Sequence, residues 1–324
     1  MQQCEAAPQA RIKNFPVSWF SVVMGLSCFT LAWRRAEQVF GLAWSPSSVL
    51  LWLTVAVALT LLGVYATKLW RYRSEVFAEF NHPVKQAFAP TLSIGMLLLA
   101  AVFQGVSEVA SLWLWSVGTV LHLVLTLFVL SSWMQHSKYE IAHMNPAWFI
   151  PVVGNILVPI AGVHHAPADV SWFFFSLGLF FWPVLTAILM YRLIFHPSLP
   201  ERLVPTLFIF IAPPAVGFVS WMHLVGHLDA FGMILYCVGL FFTLLLAVQI
   251  RSFWWLRFFL SWWAYSFPLA AITIASLIMT QQTQDSLYAW ISTVLLTVLT
   301  GVILMLLIRT VQAVLRQEIC VEGH

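Results

Sequence analysis

The chain has 324 residues, 61% of them hydrophobic and only 8% charged, with a mean hydropathy of +0.90. So little polar surface cannot enclose a water-soluble globule of this length, which excludes the soluble classes and leaves a polytopic membrane protein. The formal net charge is only +3 and no loop carries a basic tract interleaved with aromatics, so nothing points to a nucleic-acid partner.

The opening MQQCEAAPQARIK is polar and leads straight into an apolar run, the pattern of an uncleaved signal-anchor. Ten runs of spanning length follow: Phe15–Trp33, Ser48–Thr67, Gln86–Phe103, Val109–Met134, Pro146–Gly162, Val170–Phe195, Leu203–Met222, Ala230–Gln249, Phe258–Thr280 and Ser286–Ile308. They predict a short cytosolic segment over 1–14, a ten-helix domain over 15–310 and a cytosolic tail over 311–324. With the amino terminus in the cytosol, every lysine and arginine except Arg34 and Arg35 falls on the inner side. That bias predicts both termini inside, an even number of spans and a multi-pass protein of the plasma membrane, or of the inner membrane in a bacterium.

The runs pair into five helical hairpins of roughly regular spacing. Odd-numbered runs hold Pro16, Pro90, Pro146, Pro151, Pro159, Pro205, Pro213, Pro214 and Pro268, whereas the even-numbered ones hold only Pro183. A broken helix needs protein or water around it, so the odd runs belong inside and the even ones outside. The fold class is therefore all-α, with five kinked inner helices around a central axis and five outer helices. Gly25, Gly95, Gly154 and Gly217 add small residues to the inner set, but glycines occur in the even runs too. Such an arrangement is either a tightly packed bundle or the wall of a pathway, and composition alone leaves both open.

Between the second and third runs, Leu69–Val84 reads as a surface amphipathic helix, with Tyr72, Val76 and Phe80 on one face and Arg71, Glu75 and Glu79 on another. In the ninth run, FLSWWAYSFPLAAITIASLIM, Pro268 has no N–H for the carbonyl of Ala264 and predicts a mid-membrane kink. Phe267 stands at that bend, within about 3 Å of the centre along the axis.

No lysine, arginine, aspartate or glutamate lies in the middle of any run, which argues against proton coupling through a carboxylate. His122, near the centre of the fourth run, is read as a neutral residue bonding between helices, with a proton shuttle as the alternative. His223, His227 and Asp229, with His164 and His165 in another loop, offer metal-ligand types, but Gly226 interrupts the pair and no HExxH accompanies it, so no metal is expected. Cys4, Cys28, Cys237 and Cys320 show no paired spacing. Nucleotide-binding and serine-hydrolase motifs are missing, and neither an enzyme nor a cofactor is indicated. The polar groups of the inner runs, Asn155 and Ser266 among them, are neutral and suit either interhelical bonding or a water-filled path.

PVSWFSVVMGLSCFTLAW at Pro16–Trp33, HPV at His82–Val84, PAWFIPVVGN at Pro146–Asn155, APPAVGFVSW at Ala212–Trp221 and WWAYSFPLAAITIAS at Trp262–Ser276 resemble one known family. It is the tellurite-resistance and C4-dicarboxylate transporter family, which includes the plant guard-cell slow anion channels and fungal malate and sulfite carriers. The resemblance runs from about residue 15 to 310. It departs from the bacterial pattern at Trp182–Val184, WPV in place of EPV, and at Gly154–Asn155 in place of paired asparagines.

The resemblance implies a homotrimer in the lipid bilayer, each ten-helix protomer having its own pore occluded by a phenylalanine of the ninth helix, which Phe267 matches. It also implies selectivity for small anions, from chloride and nitrate to malate-like dicarboxylates. The expected function is a passive anion channel or uniporter gated by Phe267. Its wall would be formed by Pro16, Gly25, Pro90, Gly95, Pro151, Gly154, Asn155, Pro213, Pro214, Gly217, Ser266 and Pro268. The alternatives are a proton-coupled exporter of dicarboxylates or oxyanions such as malate, tellurite or sulfite, and a membrane scaffold or enzyme without transport.

Overall fold

The computed structural model describes residues 8–135 and 138–319, and every regular element among them is a helix. Among the described residues ten stretches are long and apolar enough to cross a membrane: Val17–Phe40, Pro46–Arg71, Lys85–Phe103, Glu108–Gln135, Pro146–His165, Ala168–Phe195, Glu201–Val225, Ala230–Val248, Leu260–Thr283 and Ser286–Leu315. They are called the first to tenth spans. Cys4 and Cys320 lie outside the described residues; Cys28 is buried and Cys237 exposed.

Burial divides the spans into two sets. The apolar cores of the first, third, fifth, seventh and ninth spans are 72–89% buried, and those of the even-numbered spans 22–39%. The odd spans pack in a closed ring, first on third, third on fifth, fifth on seventh, seventh on ninth and ninth on first, while each even span lies against its hairpin partner. Exposed Trp52, Val120, Phe180, Phe241 and Leu304 show why this order is stable in lipid, since the even spans turn large apolar side chains outward.

The inner spans do not begin as α-helices. Val17–Trp19, Lys85–Phe88, Pro146–Trp148, Glu201–Ile211 and Leu260–Tyr265 are 3₁₀ turns, each winding into α-helix further along. The eleven-residue 3₁₀ run Glu201–Ile211 far exceeds the usual three or four residues. Prolines sit at these junctions: Pro90 just precedes the α segment of the third span, and Pro213, Pro214 and Pro268 lie in the first turns of theirs. A proline is best tolerated in the first turn of an α segment, where its fixed φ is already helical. The break read at Pro268 is thus a change of helix type between Tyr265 and Ser266.

The connector after the second span differs from its reading as a surface helix. Helix Arg73–Asn81 forms, with Val76 buried, but Glu79 is only 7% exposed. Its carboxylate accepts from Lys68 Nζ at 2.8 Å and from the backbone N–H of Val17 at 2.6 Å, while Lys68 Nζ also donates to the carbonyl of Phe15. Helical spacing places Glu79 with Arg71 and Glu75; the turn at Tyr72 instead folds it back against the end of the second span.

Candidate functional site

The ring of inner spans encloses a cavity of about 910 Å³ that opens at the end where these spans begin. Along the chain its lining stops at Met24, Ile94, Leu157, Val216 and Pro268, one residue from each inner span. Farther along the ninth span, Ala270, Ile272, Ala275 and Leu277 are fully buried, so the vestibule ends against packed apolar side chains. Phe267 lies at that closed end, on the cavity wall and half-buried.

In the seventh span, Glu201, Arg202, Leu203 and Ile209 of the 3₁₀ lead-in reach the cavity, followed by Ala212, Pro213 and Val216 of the α segment.

Pro16, Gly154, Phe267, Pro213 and Pro268 share this wall. Gly25, Gly95 and Gly217 instead meet neighbouring helices. A methyl on Gly25 would collide with Ser266 Oγ and stand 3.1 Å from the Trp263 ring, while Gly95 faces Val23 and Gly217 faces Leu235. Ser266 is fully buried in that contact and donates to the carbonyl of Trp263 at 2.6 Å. Trp263 Nε1 donates to Thr310 Oγ1 of the tenth span. The backbone that carries Phe267 is thus pinned from both sides. Pro90 caps the α part of the third span, while Pro151 and Asn155 are buried in the wall of the fifth and Pro214 in the seventh.

Charge is confined to the rim. Lys85, Arg202, Arg257 and Arg309 line the mouth together with His82, facing Glu79, Glu201 and Glu318. Glu79 is already matched by the buried Lys68, and Glu201 accepts from the backbone N–H of Arg257 at 3.0 Å. The remaining balance is cationic. Partial desolvation, and then the nearby charges of Lys85, His143 and Arg202, hold the His82 pKa below the usual imidazole value. Its Nδ1 accepts from the N–H groups of Val84 and Lys85.

Sequence reading missed this collar, although Lys85, Arg202 and Arg257 each stand at or just before the start of an inner span. In the sequence these cations signal topology, and Arg309 comes from an outer span at the far end of the chain.

The other candidates separate. Among the described residues no three His, Cys, Asp or Glu side chains form a metal-holding group. Asp229 instead caps the eighth span: its Oδ1 accepts from Gly232 N–H and Trp221 Nε1, each at 2.8 Å. Those bonds, the Gly232 one foremost, hold its pKa below the ordinary carboxylate value. His122 is buried between spans, its Nδ1 2.8 Å from Ser93 Oγ.

A ring of five broken helices around a cationic, dead-ended vestibule can admit an anion and hold it against an apolar stop. The family model described as voltage-dependent anion channel matches residues 14–311. The chain is 28% identical over 294 residues to the uncharacterized transporter MJ0762 of Methanocaldococcus jannaschii, covering 83% of this chain and 85% of that protein. It is 28% identical over 273 residues to the S-type anion channel SLAH2 of Arabidopsis thaliana, covering 82% of this chain and 52% of the plant protein, so it spans about half of that relative. It is also 28% identical over 272 residues to the tellurite resistance protein TehA homolog of Haemophilus influenzae, covering 79% of each. The chain belongs to the voltage-dependent anion channel family, a family of membrane anion transport proteins and not of enzymes.

Proposed function

We propose that this protein is a passive anion channel or uniporter of the plasma membrane, conducting small inorganic anions and C4-dicarboxylates, with Phe267 as the gate. The observation that carries the reading is the position of Phe267 at the apolar end of a vestibule whose charges are confined to its cationic rim. Such a rim concentrates anions at the mouth, and a wall without fixed charge offers no deep well, so an ion leaves as readily as it enters. At about 910 Å³ the vestibule is as large as pockets that take small organic molecules, so the constriction and not the chamber limits ion size.

The basic rim is the cytosolic mouth in this reading, both termini are cytosolic, and three protomers assemble, each with its own path. Within that path Pro16, Gly154, Pro213 and Pro268 form wall. Pro90, Pro151 and Pro214 set the bends, while Asn155 and Ser266, with Gly25, Gly95 and Gly217, hold the inner helices together. The test is purified protein in a planar bilayer with chloride, nitrate and malate in bi-ionic gradients. Current that reverses at the anion equilibrium potential without a pH gradient supports the channel; strict co-movement of a proton with each anion would establish the coupled exporter.

A further inference from the structure

Arg34 and Arg35 are the two basic residues that fall on the side opposite to all the others, against the usual bias of lysine and arginine. They stand toward the end of the first span, away from the vestibule, and every other inner span brings its own end near them. Arg34 donates to the carbonyl of Gln104, just past the third span, at 3.3 Å, and Arg35 donates to Gln281 Oε1 of the ninth at 3.2 Å. His223 of the seventh span lies in the field of Arg35 and of His164 of the fifth. The first and seventh spans are not neighbours in the ring, so Arg35 acts across it.

Neither arginine forms an ion pair among the described residues, whose salt bridges are Lys13–Glu75 and Lys68–Glu79. The carboxylates of this face serve helix ends and turns: Glu37 accepts from Ser47, Glu108 from Gly105, Asp229 from Gly232 and Asp285 from Leu287, while Asp169 is exposed on the outer sixth span. Glu37 still acts on Arg34, whereas Arg35 has only the neutral Gln281 as its hydrogen-bond partner. A guanidinium carries five N–H donors, and Arg35, partly buried, uses one of them there. His223 makes no hydrogen bond among the described residues, and a neutral imidazole keeps one N–H in either tautomer. A partly desolvated cation without a counterion is costly, and an anion beside it removes the cost.

We propose that Arg35, with His223 across the ring and the Gln281 amide beside it, forms a second anion site at the far end of the inner helices, for a small inorganic anion such as chloride. The site deepens the anion-path reading and rests on it: the apolar constriction then has an anion-attracting group at each end. The guanidinium acts across the ring and not toward the surrounding lipid, so its ligand is a dissolved ion and not a lipid phosphate.

The test is current in planar bilayers with chloride varied only on the face opposite the basic rim, ionic strength being held near 1 M with a large impermeant anion. The Debye length there is about 3 Å, so a distant field is screened while direct binding is not. Arg35→Gln is expected to raise the half-saturating chloride concentration on that face about tenfold, the equivalent of ~1.4 kcal/mol, and to change the value for the rim face far less. Arg35→Lys keeps the charge but loses the planar fork, and should fall between. Curves of an assembled Arg35→Gln protein that superimpose on wild type overturn the site. Should that variant fail to assemble, wild-type crystals soaked in bromide decide the matter: an anomalous peak in contact with the Arg35 guanidinium supports the site, and no peak there overturns it. Wild-type protein that passes no anion current defeats the parent reading instead, and the bromide peak then decides the site alone, so the two failures are distinguishable.

Discussion

A ring that plugs a hole and a ring that packs a core respond differently to truncation. A Phe→Ala change in a packed interior typically costs about 3–5 kcal/mol. Phe267, half-buried and on the cavity wall, has fewer atoms to lose contact with, so Phe267→Ala should assemble and carry more current than wild type. Phe267→Leu should fall between, because more of the plug remains. Unchanged single-channel current in an assembled Phe267→Ala protein would move the constriction to Met24, Ile94, Leu157 or Val216. Gly25 supplies a second test at this scale: Gly25→Ala drives a methyl into Ser266, with an overpacking cost of about 1–3 kcal/mol. Thermal melting should show the loss, and Ser266→Ala in the same chain should recover part of it. His82 supplies the pH dependence. Its pKa is depressed in the folded protein, so its contribution to stability is complete above the ordinary imidazole value of about 6.5 and declines as pH falls through the lowered one. Over the same acidic window protonation adds a cation to the rim, so acidifying that face should raise anion entry, and His82→Asn should remove the step from the conductance–pH curve.

Helices are held here at their ends as much as along their lengths. The Lys68–Glu79 pair joins the end of the second span to helix Arg73–Asn81, and through Phe15 and Val17 to the start of the first span. Both residues are under a tenth exposed, so removing one partner leaves a buried charge at a cost of about 3–5 kcal/mol. Glu79→Gln or Lys68→Met alone should lower the melting temperature sharply, while Lys68→Met with Glu79→Leu should recover much of the loss. Equal melting temperatures for single and double variants would show that the pair does not stabilise this corner. None of this was legible in the chain, because helical spacing sorts side chains within one helix and says nothing about a helix folding back on its predecessor. The spans themselves were legible, since lipid imposes length and hydropathy on every one. So was the inner and outer order, because prolines collect where helix type changes and the even spans must stay unbroken to face lipid. The 3₁₀ lead-ins were not, as no residue type marks them apart from the prolines that close them.

At the scale of the whole molecule, residues far apart in sequence converge on one mouth: Lys85 from the third span, Arg202 from the seventh, Arg257 from just before the ninth and Arg309 from the tenth. Bent helices free carbonyl oxygens, and those repel anions. The cationic collar changes that balance, because it supplies attraction where an ion is still hydrated. A collar acts through a screened field, so its effect must depend on salt. The Debye length is about 10 Å at 0.1 M and about 3 Å at 1 M, so rim charges reach across the mouth in dilute salt and scarcely beyond their own side chains in concentrated salt. Arg202→Gln and Arg309→Gln, alone and together, should therefore lower the current of anions entering from the basic face at 0.1 M, the double variant more than either single one. Entry from the opposite face should change less, which appears as altered rectification. At 1 M the current–voltage curves of variants and wild type should converge. A deficit that persists undiminished at 1 M would mean that these arginines bind the ion directly or shape the mouth, and the field would then not be what draws anions in.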